Sequence, residues 1–355
     1  MEKELWKGNE AIAEAAVRAG CKCFFGYPIT PQNEIPEYMS ARLPQVGGVF
    51  VQSESEVAAI NMVYGAAASG MRAMTSSSSP GVSLKQEGIS YLAAAELPAV
   101  IVNVMRGGPG LGSIQPSQCD YYQATRGGGN GDYRTPVLAP CNIQEAVDLT
   151  QEAFDLADAY RTPVVVLADG MIGQMMEPIV WHDVPKRELA PKDWAVSGRR
   201  GRAKNNFITS LRIDAPDCEQ FNLALQKKYD VIEEKEVRWA ETDATDCDIL
   251  ITAYGTPARI AMTAIEELAK KGIRAGLFRP ITLWPFPQKR LRELAKRDGL
   301  KAILVVEMSM GQMVDDVLLA AEGAVPVRFY GRPGGMIPSV ESIVEAAEKA
   351  LQEVQ

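Results

Sequence analysis

Short apolar runs alternate with helix-period stretches through most of this chain, and that alternation leaves few folds open. A helical stretch begins at Asn9 and closes near Gly20. The runs CKCFFGY, GVFVQ, RAMTS, AVIVNVM, PVLAP and PVVVLAD then read as strands. Between them lie helical segments such as ESEVAAINMVYGAAASG and NIQEAVDLTQEAFDLADAYR. Alternation of this kind implies a parallel sheet covered by helices on both faces.

From about 181 to 245 the pattern degrades into charged, proline-containing sequence, with helical character returning near 217–240. Alternation resumes with DILITAYG, a helix from Pro257 to Lys271, IRAGLFRP, a second helix, AILVVEM, a third helix, PVRFYG and a final helix. The expectation is two doubly wound parallel-sheet α/β units, at 1–180 and 246–355, joined by a linker or subunit-facing extension. The basic run RRGRAK within that extension reads as a solvated face.

At 355 residues and 46% hydrophobic content, the chain is long enough for about two cores. A formal net charge of -8 argues against a nucleic-acid or anionic-membrane surface, because phosphates attract Lys/Arg fields. No run of apolar residues is long enough for a membrane span or a signal peptide, so a cytoplasmic location is expected. The six cysteines form no disulfide framework and no CxxC pair, which reads as reduced thiols. His182 is the single histidine, and its setting WHDVP reads as a surface loop, which makes a Ser/His/Asp triad or a His-rich metal site improbable. No cysteine spacing fits an iron–sulfur cluster, so electron transfer would need clusters on another chain.

In an open parallel α/β sheet the ligand crevice lies beyond the carboxyl ends of the strands. Thr30, Glu56 and Arg106 each fall at such an end. Thr30 lies in YPITPQNE, where two prolines stiffen the loop. It reads either as a site hydroxyl or as an N-cap with Pro31 opening the helix. Ser53 and Glu56 fit the S-x-x-E capping box. The helix behind them is nearly all apolar or small, so it should be buried on most faces. A carboxylate at its desolvated mouth is also the setting in which acid/base carboxylates are prepared. Arg106 opens MRGGPGLGS and reads either as a fork for a carboxylate or as a loop-internal salt bridge. SSSSPGVSL offers free N–H groups and hydroxyls at a helix start. The glycines of MRGGPGLGS are interrupted by Pro109 and make no dinucleotide fingerprint. Those of RGGGNGDYR read as a mobile or partner-contacting loop.

Taken together, GYPITPQNE, VQSESEVAAINMVYGAAASGMRAMTSSSSPGVSL, MRGGPGLG, YGTPARIA, GLFRPITLWPFP and VVEMSMGQMVDD resemble the α subunit of 2-oxoacid:ferredoxin oxidoreductases. The branched-chain (2-oxoisovalerate) type looks most similar. The resemblance spans roughly 5–180 and 246–350, so it rests on long ordered blocks rather than on one short motif.

The resemblance implies a thiamine-diphosphate pyrimidine-binding fold followed by a transketolase C-terminal-like domain. Glu56 matches the glutamate that bonds the aminopyrimidine ring, with Glu54 fitting the spacing less well. Thr30 and Arg106 match the residues that hold the 2-oxoacid, and Pro28, Ser78 and Ser79 lie in the cofactor-facing loops. Ser79 departs from the glycine that related thiamine enzymes often carry before Pro-Gly. The chain has no GDG followed by a distal NN, and Ala168-Asp169-Gly170 is a poor echo of it. The resemblance therefore implies half a cofactor site. Magnesium and the diphosphate belong to a β subunit, and [4Fe-4S] clusters to γ and ferredoxin-like δ subunits. Coenzyme A is the implied co-substrate and ferredoxin the electron acceptor. Alternatives are 2-oxoglutarate or an aryl-pyruvate as substrate, acyl transfer to lipoamide, or a non-catalytic scaffold.

Overall fold

The computed structural model describes residues 3–182, 184, 187–199 and 201–354. The chain opens with β1 (Glu4–Lys7), α1 (Gly8–Arg18), β2 (Cys23–Gly26), α2 (Glu34–Gln45), β3 (Val49–Gln52) and α3 (Glu56–Ala68). β4 (Ala73–Ser77), α4 (Pro80–Ala94) and β5 (Ala99–Met105) follow. A long loop carrying α5 (Tyr121–Thr125) leads to β6 (Val137–Leu138), α6 (Ile143–Tyr160), β7 (Pro163–Asp169), α7 (Gly170–Gln174) and β8 (Met176–Ile179). Next come α8 (Ala215–Lys235), β9 (Trp239–Thr242), β10 (Ile249–Thr252), α9 (Gly255–Lys270), β11 (Ala275–Pro280) and β12 (Thr282–Trp284). The chain continues through α10 (Gln288–Ala295), β13 (Ala302–Glu307), α11 (Met313–Ala321), β14 (Val327–Gly331) and α12 (Val340–Gln352).

A seven-stranded sheet runs β12-β6-β7-β5-β4-β2-β3, parallel except for β12. Its central strands are covered on both faces, which is why β5 and β7 are fully buried apolar runs. Side chains of β5 alternate between two cores. Val100, Val102 and Val104 join Ile12, Phe24, Met39 and Phe154 on one face. Ala99, Ile101 and Met105 join Ile60, Val63 and Leu92 on the other. Each such buried side chain contributes about 1.5–3 kcal/mol. A second sheet runs β14-β13-β10-β11-β9, parallel except for β9. β1 and β8 form a separate antiparallel pair.

The two sheets are not independent. β12 leaves the second unit and pairs antiparallel with β6 of the first. The Asp169 carboxylate, at the end of β7, accepts from Thr256 N at 2.8 Å and Thr256 Oγ1 at 2.7 Å, at the start of α9. Gly255 has φ +57, and a Cβ there would lie 2.7 Å from Asp169 Oδ2 and 2.9 Å from Gln118 Nε2. Only a glycine fits that junction.

β2 lies between β3 and β4, so the winding direction reverses at β2 and opens a crevice beyond the strand ends. α3 is covered on most of its faces, as expected, with one stripe left exposed. It buries Glu56, Ala59, Ile60, Val63 and Ala67, but Val57 stays 46% exposed. Leu84 and Tyr91 of α4 are exposed as well. The apolar sequence of α3 therefore leaves one face open rather than being covered all round.

Among the described residues no helix is long and apolar enough to cross a membrane. All six cysteines are unpaired. His182 lies 3.3 Å from Asp148 on a partly exposed surface.

Candidate active site

Four strand ends deliver the crevice residues: β2 the loop with Pro28 and Thr30, β3 Glu56, β4 Ser78 and Ser79, and β5 Arg106. Glu56 is the first residue of α3 and is buried. The expected Ser53–Glu56 capping box does not form. Ser53 Oγ instead has its one proton facing two main-chain carbonyls, those of Gly26 at 3.0 Å and Ser55 at 2.9 Å. The cap is Ser55, whose hydroxyl accepts from Ala58 N at 3.1 Å. No described residue donates a hydrogen bond to the Glu56 carboxylate. Its Oε1 lies 2.7 Å from where a Cβ on Gly81 would stand, and Ser77 Oγ lies 2.1 Å from the same point. The glycine at 81 thus makes room for both groups at the start of α4.

Thr30 is not an N-cap. The helix starts later, at Glu34, and Thr30 stays in the loop with its carbonyl accepting from Arg106 Nη1 at 2.9 Å. Arg106 is buried, and its Nη2 donates to the Leu111 carbonyl at 2.9 Å. It makes no ion pair among the described residues, so the expected loop-internal salt bridge is absent. Two carbonyls fix the guanidinium, while Nε is buried without a partner. A group with five N–H donors, only two of them bonded here, is a fixed cationic fork. Pro28 lies exposed in the same loop as Thr30.

Ser78 is fully buried, and its hydroxyl has no partner; neither has that of Ser77. Unpaired buried hydroxyls are costly, and two side by side mark a place where polar partners are owed. Ser79 adopts φ 24, a conformation that favours glycine. Its hydroxyl donates at 2.6 Å to Asp120 Oδ2, with the Arg106 carbonyl 3.1 Å away, and accepts from Arg106 N at 3.0 Å. Asn103 Nδ2 also donates to Asp120 Oδ2, at 2.9 Å, and Asn103 Oδ1 receives Ser79 N at 3.1 Å. Burial pushes the Asp120 carboxyl up, and its hydrogen bonds from Ser79, Asn103 and Cys119 pull it back.

The loop after β5 seals the crevice against the second unit. Gln118 Nε2 donates to the Tyr254 carbonyl at 2.9 Å and its Oε1 receives Met308 N at 3.0 Å. Tyr121 donates to Asp316 at 2.5 Å. Glu307, at the end of β13, accepts from Met313 N and Val314 N of α11 at 3.1 and 3.0 Å. Two cavities flank this loop. One of about 560 Å³ includes Ser79, Gly110, Cys119, Asp120, Met310 and Gly334 in its lining, and the other, of about 360 Å³, includes Thr30, Glu34, Ile114 and Gln174. Pro333 and Gly334, in the GRPGG stretch at 331–335 that follows β14, contribute wall to the first. Two of the RGGGNGDYR glycines pack on α4: a Cβ on Gly128 would lie 2.6 Å from Gln86 Cδ, and one on Gly129 2.6 Å from the Gln86 carbonyl.

A further buried group escaped the sequence reading. Lys85 of α4 is fully buried, with Nζ 2.8 Å from Thr75 Oγ1 and 2.9 Å from the Ser76 carbonyl.

Residues 14–236 match the family model described as pyruvate flavodoxin/ferredoxin oxidoreductase, thiamine diphosphate-binding. Residues 247–343 match pyruvate:ferredoxin oxidoreductase core domain II. The chain belongs to this oxidoreductase family. It is 52% identical to the ketoisovalerate oxidoreductase subunit VorB of Methanothermobacter thermautotrophicus, covering 97% of each chain. It is 39% identical to the 2-oxoglutarate synthase subunit KorA of the same organism, again over 97% of each. Among solved structures it matches a 2-oxoglutarate:ferredoxin oxidoreductase from Magnetococcus marinus, a structure described with 2-oxoglutarate, coenzyme A and succinyl-CoA bound. That match has a TM-score of 0.88 at 25% identity, and spans 99% of this chain and 66% of the other. A split-gene transketolase matches at 15% identity with a TM-score of 0.61, which shows the shared fold alone. As a member of this family, the chain is part of a thiamine-diphosphate-dependent enzyme that oxidises 2-oxoacids. Its relatives are subunits of larger assemblies.

Proposed function

We propose that the chain is the α subunit of a branched-chain 2-oxoacid:ferredoxin oxidoreductase, which converts a 2-oxoacid and coenzyme A to acyl-CoA and carbon dioxide while reducing ferredoxin. The observation that carries the reading is that a buried glutamate, Glu56, and a two-point-anchored guanidinium, Arg106, whose Nε has no partner among the described residues, stand at the carboxyl edge of one parallel sheet. The 52% identical relative is named for ketoisovalerate, which supports the branched-chain choice over 2-oxoglutarate.

Bound thiamine diphosphate supplies the nucleophilic carbon and the electron sink of this chemistry. Glu56 fits its aminopyrimidine as a partner for the ring nitrogen, where it holds and returns a proton, a role that commonly contributes about 10² to 10⁴-fold. Ser77 and Ser78 offer the hydroxyls still owed a partner beside it. Pro28 and Ser79 shape the cofactor-facing loops. Arg106 receives the substrate carboxylate through its free donors, and Thr30 borders the carbonyl.

The division of labour we propose assigns 1–180 to pyrimidine binding, 181–245 to a subunit-facing extension and 246–355 to the transketolase-like unit. Asp169 is engaged by four donors of this chain, which fits a diphosphate and magnesium site on a β subunit. The γ and ferredoxin-like δ subunits would carry the [4Fe-4S] clusters. The open face of α3 and α4, with Val57, Leu84 and Tyr91, is a surface such a partner would cover.

The test is anaerobic isolation of the complex from its host, followed by coenzyme-A-dependent viologen reduction with a panel of 2-oxoacids. The reading expects 2-oxoisovalerate to give the highest kcat/KM. Preference for 2-oxoglutarate would move the substrate, and viologen reduction by none of them would remove the activity.

A further inference from the structure

Lys85 is a buried cation that the proposed chemistry leaves unused. On α4 it stands four residues after Gly81 and three before Gly88, so all three share one helix face. That face meets α3 at close range. A Cβ on Gly81 would collide with Ser77 Oγ and Glu56 Oε1, and one on Gly88 would lie 2.4 Å from Ile60 Cγ2. Two glycines thus bring α4 against the first turns of α3, and Lys85 lies between those glycines on the same face, four residues from the one that meets Glu56 Oε1.

An ammonium has three donors. Two are met, by the Thr75 hydroxyl and the Ser76 carbonyl, and the next residue of the strand carries the unpartnered Ser77 hydroxyl. Ser76 Oγ in turn donates to Gln32 Oε1 at 2.5 Å, so the cluster reaches the loop after β2. The one charged group that bears on Lys85 is Glu56 of α3; β4 and Gln32 present only neutral groups. Burial pushes the ammonium down to about 7, and the Glu56 charge opposes that shift. A lysine placed here for packing alone would carry a large desolvation cost that its two hydrogen bonds offset only in part.

We propose that Lys85 is a positioning residue for Glu56: its charge acts on the carboxylate across the first turn of α3 and sets the pH range over which proton exchange at the bound aminopyrimidine proceeds. This rests on the assignment of Glu56 to that ring.

The experiment uses the assembled complex loaded with thiamine diphosphate in the absence of 2-oxoacid. Exchange of the thiazolium carbon-bound hydrogen for deuterium is followed by NMR after acid quench across pH 5.5–9, alongside cofactor affinity and melting temperature. Wild type, Lys85→Met, Lys85→Arg and Glu56→Gln are compared. Lys85→Met is expected to stay folded, with a melting temperature at pH 6 no lower than wild type's, to bind cofactor within about threefold, and to exchange roughly 10-fold more slowly at pH 6. It should also lose a transition near neutral pH that wild type shows, and Lys85→Arg should restore part of the low-pH rate. If Glu56→Gln slows exchange while Lys85→Met follows wild type at every pH, the proposal is overturned and the Glu56 assignment survives. If neither variant changes exchange, both fall.

Discussion

Arg106 Nη1 donates to the Thr30 carbonyl at 2.9 Å, across 76 positions of sequence, and so ties the end of β5 to the loop after β2. The bond uses the threonine's backbone, not its hydroxyl. It holds a cation at the crevice without neutralising it.

Replacing that cation should act on substrate binding more than on turnover. Arg106→Ala is expected to raise KM for the 2-oxoacid by about 10- to 150-fold, the value of a charge-assisted hydrogen bond of roughly 1.5–3 kcal/mol, with kcat changed less. Steady-state kinetics of the assembled complex check this. Arg106→Lys should recover only part of the loss, because an ammonium cannot span two carbonyls and still offer a planar fork.

Ser79 adopts a glycine-like backbone yet carries a hydroxyl that Asp120 needs. Ser79→Gly relieves the first and removes the second, so the two effects partly cancel. Ser79→Ala keeps the strain and strips a donor from a buried carboxylate, and should cost about 1–3 kcal/mol. Urea unfolding of both variants should rank wild type first, glycine next and alanine last.

Gly255→Ala should loosen the joint between the two units. The added methyl meets Asp169 Oδ2 and Gln118 Nε2 at under 3 Å, at φ +57. A loss of about 1–3 kcal/mol is expected from the backbone strain alone. Limited proteolysis should show earlier cleavage in the loop after β5 than in wild type.

Lys85 also predicts a pH-dependent stability. Its folded-state value is depressed from 10.5 to about 7, so between those values the unfolded chain binds the extra proton. Stability therefore rises with pH across that window through this group, and below it the cost of burying the charge is constant. Lys85→Met has no such group. Its melting temperature relative to wild type should be highest at or below pH 7 and decline as pH rises toward 10, in scans of matched samples.

The ten strands of the two parallel arrays and the helices that follow them were legible because most of these strands lie in apolar runs with β-branched residues. β1, β8, β9 and β12 were not, since each is a short antiparallel strand that owes its existence to a partner distant in sequence. The carboxyl-edge rule placed Thr30, Glu56, Ser79 and Arg106 beyond the strand ends of one sheet, which is where the structure has them. The local cap rules failed there: Ser53 turned back to the Gly26 carbonyl, and the helix after Thr30 started at Glu34. Lys85 left no signal of its own, because a single lysine in a helix reads as a surface residue. The Gly81 and Gly88 spacing around it was the available clue, visible only once α3 was known to lie against that face.

The central claim is that Glu56 works on the cofactor ring and is not merely the first residue of a capped helix. The direct measurement is 2-oxoacid- and coenzyme-A-dependent viologen reduction by the purified complex carrying Glu56→Gln, with subunit content verified beside wild type. The account predicts an intact complex whose kcat falls by about 10² or more. An intact complex with kcat within about threefold of wild type would contradict it, leaving Glu56 the role of a helix-terminus residue worth roughly 1 kcal/mol.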